Sequence, residues 1–227
     1  MQKSRLFALH HAIVMMLAWA FLSSNIDAQS VNCGTNHTLA ICQDSFPVTS
    51  GWNPTGELGN GTTTSSNSFV QPSNLDRVVA IDGGVQFSIA LRADSTVWAW
   101  GKNNLGQLGD ATTLNRYTPF PVLGLSGIIA ISAGADHSLA LRSDGTIWAW
   151  GRNSEGQLGN GTNTNALLPV LIGSLNNVQA ISAGGYFSMA LKQDGTVWTW
   201  GSNNNGQLGN GTTLDSNTPN QIIGITN

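Results

Sequence analysis

Between residues 128 and 172 the apolar positions fall into short runs with no helical stripe. Ile128 to Ala133 is apolar on both faces, the pattern of a strand buried between two layers. Ser138 to Arg142 alternates, with Leu139 and Leu141 on one side. Thr146 to Trp150 is β-branched and aromatic, with Trp148 and Trp150 sharing a face. Pro169 to Ile172 reads as an outer strand, because proline is tolerated at a strand's start or on an edge. Asp144-Gly145 predicts a two-residue hairpin turn with both central residues at positive φ. Asn160-Gly161 predicts a second turn.

This pattern recurs every fifty residues. Ile131-Ser132-Ala133-Gly134 returns as Ile181-Ser182-Ala183-Gly184. Ser138-Leu139-Ala140-Leu141 returns at Ser88 and at Ser188. The pairs Trp98/Trp100, Trp148/Trp150 and Trp198/Trp200 keep the same spacing, and each precedes a Gly-Gln-Leu-Gly segment. A worn first copy matches over Val31 to Ile41 and at Gly56-Glu57-Leu58-Gly59, with Val48 and Ser50 where the later copies carry tryptophan. The repeats span 31–80, 81–130, 131–180 and 181–227. Three to four strands per repeat is the pattern of a propeller blade, so the fold class is all-β.

The string Ile-Ser-Ala-Gly-x-x-His-Ser-Leu-Ala-Leu-x-x-Asp-Gly-x-x-Trp-x-Trp-Gly-x-Asn-x-x-Gly-Gln-Leu-Gly at 131–159 closely resembles the repeat of the regulator of chromosome condensation (RCC-type) family. The resemblance covers 31–227 and implies a β-propeller of four-stranded blades, normally seven. Four such blades turn through only about 205°. Either the chain is the amino-terminal part of a longer propeller, or copies self-associate through open blade faces. The family's name-giving activity is nucleotide exchange on a small GTPase. The family also includes an exported bacterial propeller that inhibits β-lactamases, although no residue here points to that target.

Composition narrows the function classes. Only 9% of residues are charged, against roughly 25% in ordinary soluble domains. The few basic residues form no cluster, so no phosphate-tracking surface for nucleic acid is expected. Lys3 and Arg5, an uncharged apolar run from Leu6 to Leu22 and a polar stretch ending at Ala28 have the order of a secretory signal peptide over 1–28. Removing Lys3, Arg5 and Asp27 from nine basic and twelve acidic residues leaves seven and eleven, a net charge of −4. No later stretch is apolar enough to span a membrane. A secreted or cell-surface location follows, away from any cytosolic GTPase.

No constellation of residues points to catalysis, a metal or a cofactor. The Trp pairs sit at one phase of successive blades, which favours packing between blades over a ligand platform. Asp44, Asp94, Asp144 and Asp194 share a turn slot, too far apart for a paired-carboxylate site. His37 and His137 alternate with Phe87 and Phe187 at one position, which suggests packing. Cys33 and Cys42 are a candidate disulfide of an exported chain. Asn36, Asn60, Asn160 and Asn210 begin Asn-x-Thr sequons. Binding is best sought where repeats differ, in the loops carrying Asn36, Gln86, Asp136 and Tyr186. Arg116 and Tyr117 form a second candidate, since both residue types favour interface hot spots. The reading is a secreted or cell-surface scaffold that binds a protein or other macromolecule without catalysis of its own. The alternatives are a non-catalytic part of a larger exported enzyme, or an exchange-factor-like protein.

Overall fold

The computed structural model describes residues 28–224. The expected leader therefore lies, Ala28 apart, outside the described residues. These fold into four antiparallel four-stranded sheets. Blade 1 contains β1 (Ala28–Cys33), β2 (His37–Cys42), β3 (Pro47–Gly51) and β4 (Ser66–Val70). Blade 2 contains β5 (Val78–Gly83), β6 (Phe87–Arg92), β7 (Val97–Gly101) and β8 (Arg116–Pro121). Blade 3 contains β9 (Ile128–Ala133), β10 (His137–Arg142), β11 (Ile147–Gly151) and β12 (Ala166–Leu171). Blade 4 contains β13 (Val178–Ala183), β14 (Phe187–Lys192), β15 (Val197–Gly201) and β16 (Ser216–Gln221). No helix occurs among the described residues.

The strands expected from patterning are present, with two corrections. The outer strand of blade 3 begins at Ala166, and Pro169 lies inside it, on the sheet edge where a missing N–H costs no ladder bond. In the Asp144-Gly145 turn only Gly145 has positive φ, at 79°. The Arg142 N–H donates to the Thr146 carbonyl and the Gly145 N–H to the Arg142 carbonyl, each at 2.9 Å. This is the longer hairpin loop in which a turn is followed by one left-handed residue. Ser45 and Ser95 take that place in blades 1 and 2. The Asp144 carboxylate instead accepts the Thr146 N–H at 3.0 Å and hydroxyl at 2.6 Å. Hydrogen bonds from Thr146 hold its pKa below the usual carboxylate range, and Asp94 and Asp194 repeat the arrangement with Thr96 and Thr196.

The candidate disulfide is not formed. Cys33 pairs with Thr38 and Cys42 with Ala28 across the β1–β2 ladder, at opposite ends of the hairpin. Five residues of strand between them span about 16 Å, far beyond disulfide reach. Both thiols are free.

Blades are joined by a repeated clamp. Trp100, Trp150 and Trp200 are fully buried. Their indole N–H groups donate to the backbone carbonyls of Glu57, Gln107 and Gln157 in the preceding blade, at 2.7, 2.9 and 2.9 Å. The same carbonyls accept the hydroxyls of Ser88, Ser138 and Ser188 at 2.8, 3.1 and 2.8 Å. The partner tryptophans Trp98, Trp148 and Trp198 are half-buried and pack against the apolar clusters between blades. Trp98 and Trp198 also donate to the hydroxyls of Thr96 and Thr196, at 3.1 and 3.0 Å, so the Trp pairs are packing residues with polar anchors.

Histidine adds a further link. His37 Nε2 lies 2.9 Å from Ser88 Oγ, and His137 Nε2 lies 2.9 Å from Ser188 Oγ. Each serine proton goes to the carbonyl, so each imidazole donates from Nε2. The Nδ1 atoms of both rings are buried without a partner. Burial lowers both pKa values from 6.5 to about 4; for His137 the charge of Glu155 opposes the shift. Phe87 and Phe187 occupy this position in the other blades, so the role is packing plus an inter-blade hydrogen bond.

Two predictions follow from these contacts. Gly151 lies at φ 99°, and a Cβ there would fall 2.6 Å from the Asp136 carbonyl oxygen. Gly151→Val should lower stability by at least about 2 kcal/mol; an unchanged melting temperature would remove the assignment. The histidines bind protons less well folded than unfolded. Their contribution is complete above pH 6.5 and is lost as pH falls towards about 4. The loss is roughly 3 kcal/mol per histidine. Denaturant titrations at pH 7 and pH 4.5 should show a smaller acid loss in His37→Phe/His137→Phe than in the parent chain; equal losses would refute it.

Candidate binding face

The loops β1–β2, β5–β6, β9–β10 and β13–β14 lie at the same end of the blades as the long loops that follow β3, β7, β11 and β15. A backbone bond joins the two sets in every blade. The carbonyls of Asn36, Gln86, Asp136 and Tyr186 accept the N–H groups of Trp52, Lys102, Arg152 and Ser202 at 2.8 to 2.9 Å. The repeated link at these positions is made by main-chain atoms and does not depend on which side chain stands there.

Each long loop is organised by a buried asparagine, Asn53, Asn103, Asn153 or Asn203. Asn153 Oδ1 accepts the Leu158 N–H at 2.9 Å. Its Nδ2 group donates to the Thr162 and Thr164 carbonyls at 2.9 and 3.1 Å. Asn53 and Asn203 make the same three bonds in their own loops, while Asn103 keeps two of them and turns its amide to the Asp110 carboxylate at 2.9 Å. At three sequons the threonine hydroxyl donates to the asparagine Oδ1 within a turn, at 2.8, 2.9 and 2.9 Å for Asn60, Asn160 and Asn210.

The side chains of the first candidate set meet different fates. Asn36 is exposed and Gln86 half-buried. Tyr186 is 40% exposed. Asp136 is buried, 3.4 Å from Lys102 Nζ and 3.9 Å from Arg152 Nη1, and accepts the Gln107 amide at 3.3 Å. It therefore orders its neighbours and is not itself a free contact. Arg152 joins two members of the set: its guanidinium lies over the Tyr186 ring at 4.5 Å while reaching Asp136. It also donates to Glu155 at 2.7 and 3.1 Å. Burial opposes ionisation of Glu155, but hydrogen bonds from Arg152, Ser154 and Gln157 outweigh it and hold the carboxyl below its usual range.

Arg116 and Tyr117 are largely committed to the frame. Arg116 pairs with Asp110 at 2.7 Å and stacks over Phe120 at 4.2 Å. The Tyr117 carbonyl accepts the Gly61 N–H of blade 1 at 2.8 Å, although the ring remains exposed. The residues that the first set omits are Trp52, which is 49% exposed, together with Lys102 and Arg152. Their signal was present as the variable position in Gly-x-Asn, occupied by Trp52, Lys102, Arg152 and Ser202.

This face can offer aromatic surface and mixed charge to a partner. Among the described residues no group of three or more His, Cys, Asp or Glu side chains is placed to hold a metal ion. The turn aspartates lie at the opposite end of the blades, in the β2–β3, β6–β7, β10–β11 and β14–β15 turns.

Comparison with known proteins places this geometry. The profile of the RCC1-like domain matches residues 16–226. A search of curated proteins returned no match. Prp20p from Saccharomyces cerevisiae, in a structure described with its binding properties to Gsp1p and histones, superposes with a TM-score of 0.79 at 23% identity, over 88% of this chain and 51% of that one. Human WBSCR16 superposes with a TM-score of 0.77 at 23% identity, over 88% and 54%. The ectodomain of the Physcomitrella patens receptor kinase CR4 gives 0.52 at 18% identity, over 78% and 42%. The chain thus spans about half the length of the first two structures.

Removing the residue that joins Asp136 to Tyr186 tests the network. Arg152→Met keeps an apolar stem but leaves buried Asp136 with Lys102 as its one cationic partner, and should cost about 1–2 kcal/mol. A denaturation midpoint identical to the parent's would show that these contacts hold nothing together.

Proposed function

The chain belongs to the RCC1-like domain family, and from that premise we propose that it is an exported propeller scaffold that binds a protein through its loop face, without catalysis of its own. One observation carries the reading. At two positions per blade the backbone hydrogen bond is constant while the side chains differ: Asn36, Gln86, Asp136 and Tyr186 at one, Trp52, Lys102, Arg152 and Ser202 at the other. Because this repeated link uses main-chain atoms, side chains can differ from blade to blade without breaking it, which suits recognition.

Trp52 and Tyr186 are the anchors of this reading, because exposed aromatic rings supply large contact area at low entropic cost. Arg152 stacks on the Tyr186 ring, and Lys102 adds a second positive charge to the face. Protein partners accord with the family, since the yeast relative is described as binding Gsp1p and histones. The basic start and apolar run before Ala28 support export, and the CR4 ectodomain is a receptor-kinase example of a related fold.

Affinity capture from the extracellular fraction of the producing cell, followed by titration of what is retained, tests this proposal. Trp52→Ala/Tyr186→Ala should weaken binding at least about tenfold, the scale of losing two aromatic hot spots. Full affinity in that variant and in Asn36→Ala/Gln86→Ala would reject the loop face. Mass spectrometry of the exported chain should find Gln29 as its first residue; an intact Met1 in the cytosol would reject export.

A further inference from the structure

One side chain in each long loop folds back on its own main chain. Gln107, Gln157 and Gln207 use Oε1 to accept the N–H of the residue two positions earlier, at 2.9, 3.1 and 2.8 Å. In blade 1 the residue is Glu57, whose Oε2 accepts the Thr55 N–H at 3.0 Å. The remaining atom therefore changes character. Gln107 Nε2 donates to Asp136 at 3.3 Å, and Gln157 Nε2 donates to Glu155 at 3.1 Å. Glu57 presents a carboxylate oxygen there instead of an N–H.

That oxygen has no partner among the described residues. Glu57 is 1% exposed, and its Oε1 is buried without a hydrogen bond. The basic side chains of the neighbouring loops are committed elsewhere, Lys102 to Asp136 and Arg116 to Asp110. A buried carboxylate oxygen left unpaired carries a desolvation cost, so this corner favours a donor, and a cationic one above all.

The surroundings suit a cation. Between blades 2 and 3, Lys102, Gln107 and Asp136 converge, with Lys102 Nζ 3.4 Å and Gln107 Nε2 3.3 Å from the Asp136 carboxylate. The fifty-residue register puts Trp52, Glu57 and Gln86 at the same three places between blades 1 and 2. The main chain agrees: Ser88 donates to the Glu57 carbonyl as Ser138 does to that of Gln107, and Thr55 Oγ1 reaches the Gln86 carbonyl at 3.3 Å. An exposed indole thus stands at the place of the Lys102 cation. Between blades 3 and 4 the molecule shows a completed set: Arg152 lies over the Tyr186 ring at 4.5 Å and donates to Glu155 at 2.7 Å. Between blades 1 and 2 the ring and the carboxylate are present, and no guanidinium joins them among the described residues.

We propose that the corner formed by Trp52, Glu57 and Gln86 is a subsite for an arginine side chain of the partner, its guanidinium stacked on the Trp52 ring and donating to Glu57 Oε1. A flat guanidinium serves both groups, because it spreads its charge over the indole face while its edge presents N–H groups to the carboxylate. Gln86 is half-buried, and its amide makes no hydrogen bond among the described residues, so it yields to the entering group. The assignment rests on the loop face being the binding surface and names the chemistry that one part of that face selects.

An NMR titration with Nα-acetyl-arginine N-methylamide, followed at the Trp52 indole N–H, tests the subsite. The uncharged control is Nα-acetyl-citrulline N-methylamide, and Trp52→Phe identifies the signal. The arginine compound should bind at least about fivefold more tightly than the control, the scale of one charge-assisted contact. Glu57→Gln should remove that preference. Equal affinities, or a preference that survives Glu57→Gln, would overturn the subsite. Glu57→Gln installs the amide that the other three blades already hold, so the fold is kept. Without ligand it should melt above the parent, because an unpaired buried carboxylate is removed; melting at or below the parent would show that Oε1 is already paired, which also overturns the subsite. A chain that retains a partner through Trp52 and Tyr186 but shows no arginine preference refutes the subsite and leaves the loop-face reading intact. A chain that prefers arginine but retains no partner through that face rejects the loop-face reading and leaves the subsite standing.

Discussion

One backbone carbonyl at each junction between blades holds this structure together. Glu57, Gln107 and Gln157 each present a carbonyl oxygen that takes two donors from the next blade, an indole N–H and a serine hydroxyl. Both lone pairs are therefore used in a place that water does not reach. A buried carbonyl left unpaired there would carry a desolvation cost, so the clamp couples the polar requirement to the apolar one. The indole can donate only when its ring fills the space beside Gly59, Gly109 or Gly159. Packing and hydrogen bonding thus succeed or fail together.

That clamp explains the composition. Charge is scarce because strands are covered on both faces, blade against blade. Glycine is abundant because turns and close approaches recur in every repeat, as at Gly151, where a Cβ would strike the Asp136 carbonyl. The few charges that remain lie in loops and turns or near strand ends, as Arg92, Arg142 and Lys192 do. At the binding face, Lys102, Asp136, Arg152 and Glu155 form one connected set in which Asp136 is the buried member. The ring of Tyr186 is held by that set while staying accessible, so an aromatic contact is positioned in advance and little order need be lost on binding.

The frame was legible before any coordinates because it is written four times. The strands of blade 3, the packing role of Trp150 and the turn slot of Asp144 could all be read from spacing, since each position is constrained by local geometry and confirmed by its copies. The binding side chains were less legible. Asp136 stood out as a variable loop residue, yet its side chain is spent on Lys102 and Arg152, which lie 34 and 16 positions away in sequence. Arg116 suffers the same fate with Asp110 and Phe120. Trp52 stands outside the Trp-x-Trp pattern of the other tryptophans, so spacing alone does not mark it.

By itself the sequence determined the period, the strand order within a blade, the turns and the identity of the packing residues, because these depend on neighbours a few positions apart and recur in register. Tertiary structure alone decided how far apart Cys33 and Cys42 lie, which carbonyl receives each indole, and which nitrogen of His37 and His137 carries the proton. Those outcomes depend on contacts between one blade and the next, and a repeat pattern is the same whether its neighbour is present or not.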